Sequence, residues 1–430
     1  MPQKIGSNVV APFERVKDVN VIMTILHPQP LVGLGNLLLI NKVDKPATLK
    51  KTAAPAVTPA VAGAGTGAGT GAGTGTGTSG GTTPKDAQDN KDKTDQGSST
   101  TGDRAFSNEL SNDDRMNGLL KRKVDTATGA VYREYKNLDA VAVDYPENSP
   151  VWFKANSYFA QANHSDRIAI LDYVDGKLLD TLKDFWYYNW TFMAFVDNTI
   201  NDDVILASNI CESNQDHFLV LQSNDLAQFT QFYGQNYTIG LKHDLSEAMD
   251  TALVGAVATK TVGSCTWKFK ELEGITPEDL TTQERAGIEN SHCIAYIQVD
   301  GRNETAEGFS MSGEYIDLLH GEIWVKVNVG NELQRLLQEN DKVPYDATGI
   351  SMVSARINYV LDLAWKQGII QTNDDTSKGM YEVTTTPRSA QSRDDLSKRH
   401  YGGASFTYHA SSAIHSLTIH GTVNSDTIMQ

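Results

Sequence analysis

One segment limits what this chain can fold into: the run from Ala53 to Gly102, AAPAVTPAVAGAGTGAGTGAGTGTGTSGGTTPKDAQDNKDKTDQGSSTTG, which alternates Gly with Ala or Thr and then turns charged and polar. Such a tract has almost nothing to bury against the entropy of ordering it, so disorder is the expectation. On either side the pattern looks folded, with GNLLLINKV (Gly35 to Val43) before it and strand-like AVYREYKNLDAVAV (Ala130 to Val143) after it. The tract therefore reads as a loop inserted within a domain, spanning about 46–118, rather than as a linker between two domains. Closure entropy grows only logarithmically with loop length, so an insertion of this size is tolerated at an exposed loop tip, on the outer surface of the structure.

The remainder has the material for real cores, since 40% of the 430 residues are hydrophobic and 8% aromatic. Length alone suggests two or three domains. From Pro150 to about Lys260, the apolar strands RIAILDY, WTFMAFV, HFLVLQ and YTIGL alternate with the helical patterns SPVWFKANSYFAQA and SEAMDTALVGAVAT. That alternation predicts a twisted α/β layer domain. Further on, Thr281-Thr282-Gln283-Glu284 forms a capping box that opens a short helix, followed by the strand CIAYIQV. A helix over 314–340 is expected to break at β-favouring WVKVNV and at Gly330. Another over 349–368 places Ile350, Val353, Ile357, Val360, Leu361 and Ala364 on one face before a Gly stop. The C-terminal stretches KGMYEVTTT and ASFTYHASSAIHSLTIHGTV read as β, with period-2 alternation resuming from Ile414 to Val423.

Charge narrows the partners. Lys plus Arg at 37 against Asp plus Glu at 53 gives a net charge of -16, which repels phosphate backbones and anionic headgroups. Direct contact with nucleic acid and insertion into membrane are therefore not expected. Cys211, Cys265 and Cys293 are odd in number and widely spaced, which indicates neither a disulfide framework nor a zinc site. The N-terminal residues carry Lys4, Glu14, Arg15, Lys17 and Asp18, too many charges for a signal peptide. The longest apolar run, Leu31 to Ile40, is half a bilayer span. A reducing cytoplasm is the expected place of folding.

Candidate chemistry is sparse. Leu34-Gly35-Asn36 in VGLGNLLLI lacks the third Gly and the following helix of a dinucleotide fingerprint, and reads as a turn into a strand. His409, His415 and His420 differ in strand parity, so one strand cannot present all three to a metal. The pairs Asp202-Asp203, Asp374-Asp375 and Asp394-Asp395 fit turns and helix starts better than two-carboxylate catalysis. With no GxSxG, HExxH or P-loop signature, no catalytic, cofactor or metal residue is assigned, and assembly explains the chain better than catalysis.

Four stretches carry a family resemblance. AGIENSHCIAYIQVDG (286–301), the region from GFSMSGEYIDLL to AWKQGII (308–370) and PRSAQSRDDLSKRHYGGASFTYHASSAIHSLTIHGTV (387–423) resemble the tail-sheath family of contractile-tailed phages, as does KNLDAVAVDYPENSPVWFKANSYFAQ (136–161) in the amino half. The resemblance covers roughly 300 residues by pattern, and the Gly/Thr-rich insert departs from it. It implies an α+β / α/β multidomain fold: outer α/β layers over 21–260, an inner α+β sheath domain over 261–411, an N-terminal arm over 1–20 and a C-terminal strand and arm over 412–430. It implies a structural, non-enzymatic subunit of a virion tail, partnered by copies of itself in six-fold rings, the tail tube, the baseplate and the tail terminator. The chain ends agree with this, because Asn8, Val9 and Val10 and, at the other end, Ile414, Leu417, Ile419 and Val423 are strand-competent and free to pair with a neighbour's sheet edge. Arg388, Arg393, Lys398 and Arg399, concentrated in one loop of an acidic chain, are candidates for contact with an acidic tube. The competing reading is a virion decoration protein or adhesin whose α/β domain binds a ligand.

Overall fold

A computed structural model describes residues 34–49 and 105–420. The expected disordered tract and the N-terminal arm, with Asn8, Val9 and Val10, lie outside the described residues, as does Val423. The chain enters at Leu34 and turns into β1 (Leu37–Val43). Gly35 is required there by closeness rather than by dihedral angle: a Cβ on it would stand 1.8 Å from the Ala258 carbonyl oxygen. The Leu34-Gly35-Asn36 step is thus a tight entry to a strand.

The short parallel pair β2 (Thr48–Leu49) and β3 (Ala105–Phe106) brings together the two ends of the stretch outside the described residues. Within the 46–118 span assigned to the insert, β3 is followed by α1 (Asn112–Met116), which Ser111 and Asp114 close with a reciprocal capping box. Next come β4 (Leu119–Val124), β5 (Val131–Tyr135), α2 (Leu138–Asp144), α3 (Pro150–Phe159), β6 (Ile168–Val174), α4 (Leu178–Phe185), β7 (Phe192–Phe195), α5 (Asp202–Asn214), β8 (Phe218–Ser223), β9 (Thr238–Lys242), α6 (Met249–Val257), α7 (Thr282–Asn290) and β10 (Cys293–Ile294). Together they build an eight-stranded sheet in the order β10-β9-β8-β7-β1-β6-β5-β4. The six strands from β10 to β6 are parallel, and β5 and β4 extend the sheet antiparallel.

The central strands LLLI, FMAF and FLVL are buried at every position, as parallel strands covered on both faces must be. The cover comes from two helix pairs, α3 with α6 and α4 with α5. Between α3 and α6 lies a buried ion pair of Lys154 and Asp250, with Lys154 Nζ also donating to Asn198 Oδ1 at 2.6 Å. This core does not stop near 260. Cys293, Ile294, Ile316, Ile323 and Val327 all belong to it, because β10 completes the sheet edge.

Two strand expectations change in the structure. AVAV in KNLDAVAV is helix α2, because the Asn137 side chain accepts the Ala140 N–H at 3.0 Å and caps a helix immediately after β5. CIAYIQV divides: β10 joins the main sheet, whereas β11 (Tyr296–Val299) folds into a hairpin with β12 (Arg302–Thr305). The turn between them is Asp300-Gly301, both at positive φ, 49° and 80°.

The expected break over 314–340 is absent, and α8 (Ile316–Glu339) runs unbroken through WVKVNV and Gly330. Its position between two cores explains this. Ile323 and Val327 face the sheet core, while Val325 and Val329 face a second core shared with α9 (Ala347–Gln367). Burial on both sides outweighs the modest intrinsic preference of valine for strand. Polar ties hold α8 to the sheet domain: His320 Nε2 meets Leu34 O at 2.7 Å, and Lys326 Nζ reaches the Asn214 and Gln215 carbonyls at the end of α5 at 3.4 and 3.5 Å. Burial pushes the Lys326 ammonium down to about 8. Helix α9 matches its sequence reading, burying Ile350, Ile357, Val360, Leu361 and Ala364 and stopping at Gly368 with φ 89°.

A titrating cluster closes the end of β9. His243 is buried, with Nε2 3.0 Å from Glu247 and Nδ1 3.4 Å from Glu278, and Lys242 also reaches Glu278, at 3.2 Å. Burial alone would lower the imidazole, but bonds to Glu278 and Glu247 outweigh it and raise its pKa. Both carboxylates go down: burial opposes this, but Thr276 and His243 at Glu247, and His243 and Lys242 at Glu278, prevail. A raised histidine contributes stability that is full below its unfolded value of 6.5 and fades as pH rises through the folded one. The lowered carboxylates contribute above 4.5 and lose it as pH falls. The destabilisation caused by His243→Gln, followed by thermal unfolding, should therefore be largest near pH 5.5 and shrink by pH 8. A penalty that grows toward pH 8 would contradict the arrangement.

Candidate assembly surface

Beyond α9 the chain forms a ribbon of β13 (Tyr381–Thr385) and β14 (Ala404–Tyr408), antiparallel and two strands wide. A lone two-stranded ribbon is marginal in water and needs a platform. Here α9 and the second core supply it: Tyr381, Val383, Ala404, Phe406 and Tyr408 point inward, while Glu382, Thr384, Ser405 and Thr407 are exposed. The ribbon thus has one face on its own helix, one face in solvent, and among the described residues no third strand. An unpaired, alternating ribbon of this kind is a template for strand addition.

The 386–403 connection between these strands carries all four basic candidates, and each is exposed. Arg388 is committed in part, donating from Nη1 to Tyr345 O at 2.9 Å with its guanidinium 5.6 Å from the Tyr345 ring. Arg393 opens the short helix α10 (Arg393–Lys398), capped by Ser392; Lys398 pairs with Asp394 at 2.8 Å; and Arg399 ends it at φ 54°. All four lie in this one connection, with Arg388 engaged by Tyr345 and Lys398 by Asp394. Asp394-Asp395 lies in the first turn of α10 and Asp202-Asp203 in that of α5, as helix-starting acids.

After β14 the chain leaves the body. Ala410 bridges Ile370, and Ser411 N donates to Ile369 O at 2.9 Å. From there to His420 it has no regular secondary structure and no ladder partners among the described residues, and its large apolar side chains are bare: Ile414 is 74% exposed, Leu417 79% and Ile419 86%. Three large apolar side chains exposed on one short unpaired segment are unusual for a monomer surface. Of the strand expected over 414–423, the described part, 414–420, forms no strand and has no partner strand among the described residues. No group of three or more His, Cys, Asp or Glu that could hold a metal ion exists among the described residues. No helix among them is long and apolar enough to cross a membrane.

Sequence reasoning did not single out the β13–β14 ribbon as a surface. The signal was present in the alternation of Tyr381, Val383 and of Phe406, Tyr408, but nothing in the sequence shows which edges remain unpaired.

No protein-family model matches the chain, and no curated protein matches it in sequence. The fold is nevertheless a shared one. The chain is similar to a chain of an extracellular contractile injection system, the PVC sheath complex in its contracted state, with TM-score 0.52 and 12% identity over 68% of this chain and 86% of that one. It is similar likewise to a chain of the six-fold symmetrised baseplate of the anti-feeding prophage, with TM-score 0.51 and 13% identity over 65% and 82%. The mixed α/β architecture is thus one found in contractile injection systems, in line with the tail-sheath resemblance of the sequence.

Proposed function

We propose that this chain is the sheath subunit of a contractile tail or injection particle: it polymerises around a tail tube, and the array contracts to drive the tube through a bacterial envelope. The observation that carries the reading is the unpaired β13–β14 ribbon together with an exposed C-terminal segment with bare Leu417 and Ile419. A donor strand and an acceptor ribbon on one subunit make a head-to-tail contact, which builds rings where the rotation between copies closes and helices where it does not. The fold likeness to a sheath complex and to a baseplate chain supports the same reading.

In that arrangement the eight-stranded sheet domain forms the outer layer, and the unit of α8, α9 and the ribbon forms the inner one. Arg388, Arg393, Lys398 and Arg399 face the tube. Six-fold rings, a baseplate and a tail terminator complete the assembly, in the virion tail after assembly in the host cytoplasm. The arms at 1–20 and 412–430 act as hinges, so that subunits rotate as bodies while their ladders persist. Contraction needs no nucleotide, because relaxation to a packing that buries more apolar area supplies about 25 cal/mol for each Å² removed from water. Sedimentation of the purified protein at rising concentration tests the assembly claim: rapidly sedimenting polymers are expected, whereas a monomer at every concentration would contradict it.

A further inference from the structure

The C-terminal segment is bare except at one residue. His415 lies between exposed neighbours, yet only 12% of its side chain is accessible, because the ring turns back into the body of its own subunit. There Nε2 meets Thr266 Oγ1 at 2.8 Å, Tyr315 stands edge-on to the ring at 4.8 Å, and Phe269 lies 6.2 Å away. Nδ1 faces Glu307 Oε2 at 3.7 Å, and Glu307 is itself held by Lys268 at 2.5 Å. The receptor is drawn from three separate places in the chain: the connection between α6 and α7, the loop after β12, and Tyr315 at the start of α8. No other side chain between Ser412 and His420 is drawn in this way among the described residues.

We infer that His415 is an anchor that pins the C-terminal segment to its own subunit, so that only the chain beyond it is free to engage a neighbouring copy. The inference rests on the assembly reading for its purpose but not for its geometry. Without the anchor, the last fixed point retreats to Ser411, whose N–H bonds Ile369 O. Four more residues are then released, adding about 14 Å of reach at about 3.4 Å per residue. A longer, freer tether dilutes the donor strand about its acceptor and lets it sample more than one neighbour. The anchor thus sets where the arm begins and which copy it can reach.

Chymotryptic cleavage after Leu417, followed by mass spectrometry on dilute full-length protein, reads the anchor directly. A protease must draw the residues flanking the scissile bond into its cleft, His415 among them, so cleavage reports release of the ring. His415→Ala should accelerate cleavage about tenfold, and His415→Gln, which can still bond Thr266, less. Thr266→Val should accelerate it too, with the double variant no faster than His415→Ala, since one contact is being removed twice. A rate within twofold of the parent in His415→Ala, or independent additive effects of the two substitutions, would overturn the anchor. If cleavage accelerates as expected but the parent protein never polymerises, the anchor stands and the sheath reading fails.

Discussion

Removal of residues 412–430 is expected to leave a folded, soluble protein that no longer polymerises. Every side chain of the main and second cores lies before this point, and the segment contributes no ladder bond to its own subunit among the described residues. In an assembly, each backbone group of the arm would exchange water for a ladder bond worth about 0.5–1.5 kcal/mol net. Leu417 and Ile419, beyond the His415 anchor and bare in the single chain, would each gain up to about 1.5–3 kcal/mol on full burial. One arm alone binds weakly, but a subunit in a lattice is held at several points and leaves only when all release together. Ile419→Pro removes one donor and forces a ring into the ladder, and should raise the concentration needed for assembly by about tenfold or more. Loss of residues 1–18 should act like the C-terminal deletion. Circular dichroism paired with size-exclusion chromatography separates the outcomes: native secondary structure with monomer elution agrees with the arm model, while truncated protein that still assembles would refute it.

The largest effect on folding is expected from Asp250→Ala. Lys154 on α3 and Asp250 on α6 are 3% and 1% exposed at the side chain, in the seam that covers one face of the sheet. Removing the carboxylate strands a buried ammonium with only the Asn198 amide oxygen for company, a loss of about 3–5 kcal/mol. Replacing both partners, as Lys154→Met with Asp250→Leu, should recover most of that, because two apolar groups of similar volume need neither charge nor partner. Urea denaturation midpoints at constant slope distinguish the cases. A single variant within about 1 kcal/mol of the parent would mean that water or a local shift reaches Lys154.

What the sequence disclosed follows from where local pattern and tertiary need coincide. Strands β1, β6, β7, β8 and β9 were legible because parallel strands buried on both faces appear as unbroken apolar runs. Helix α9 was legible because its one buried face repeats at helical spacing and Gly368 ends it. Helix α8 was legible as a helix but not as a continuous one, since a helix clasped between two cores has apolar residues on two faces and its WVKVNV mimics a strand locally. The AVAV of α2 misled for a related reason: seven residues are too few to show a period, and only Asn137 marked the start. At the proposed assembly surface the exposed Leu417 and Ile419 were readable as alternating apolar positions, while the unpaired ribbon and the His415 contact were not. Both depend on which groups are left without partners after the chain has folded, and that is a property of the three-dimensional arrangement.

The central claim, that one subunit's C-terminal strand completes another subunit's ribbon, is tested most directly by a cryo-electron microscopy reconstruction of the polymer. The account predicts tubes in which residues beyond His415 cross to a neighbouring copy and run as an added strand along β13 or β14. A polymer in which that segment folds back on its own subunit, or in which both ribbon edges remain bare, would contradict it.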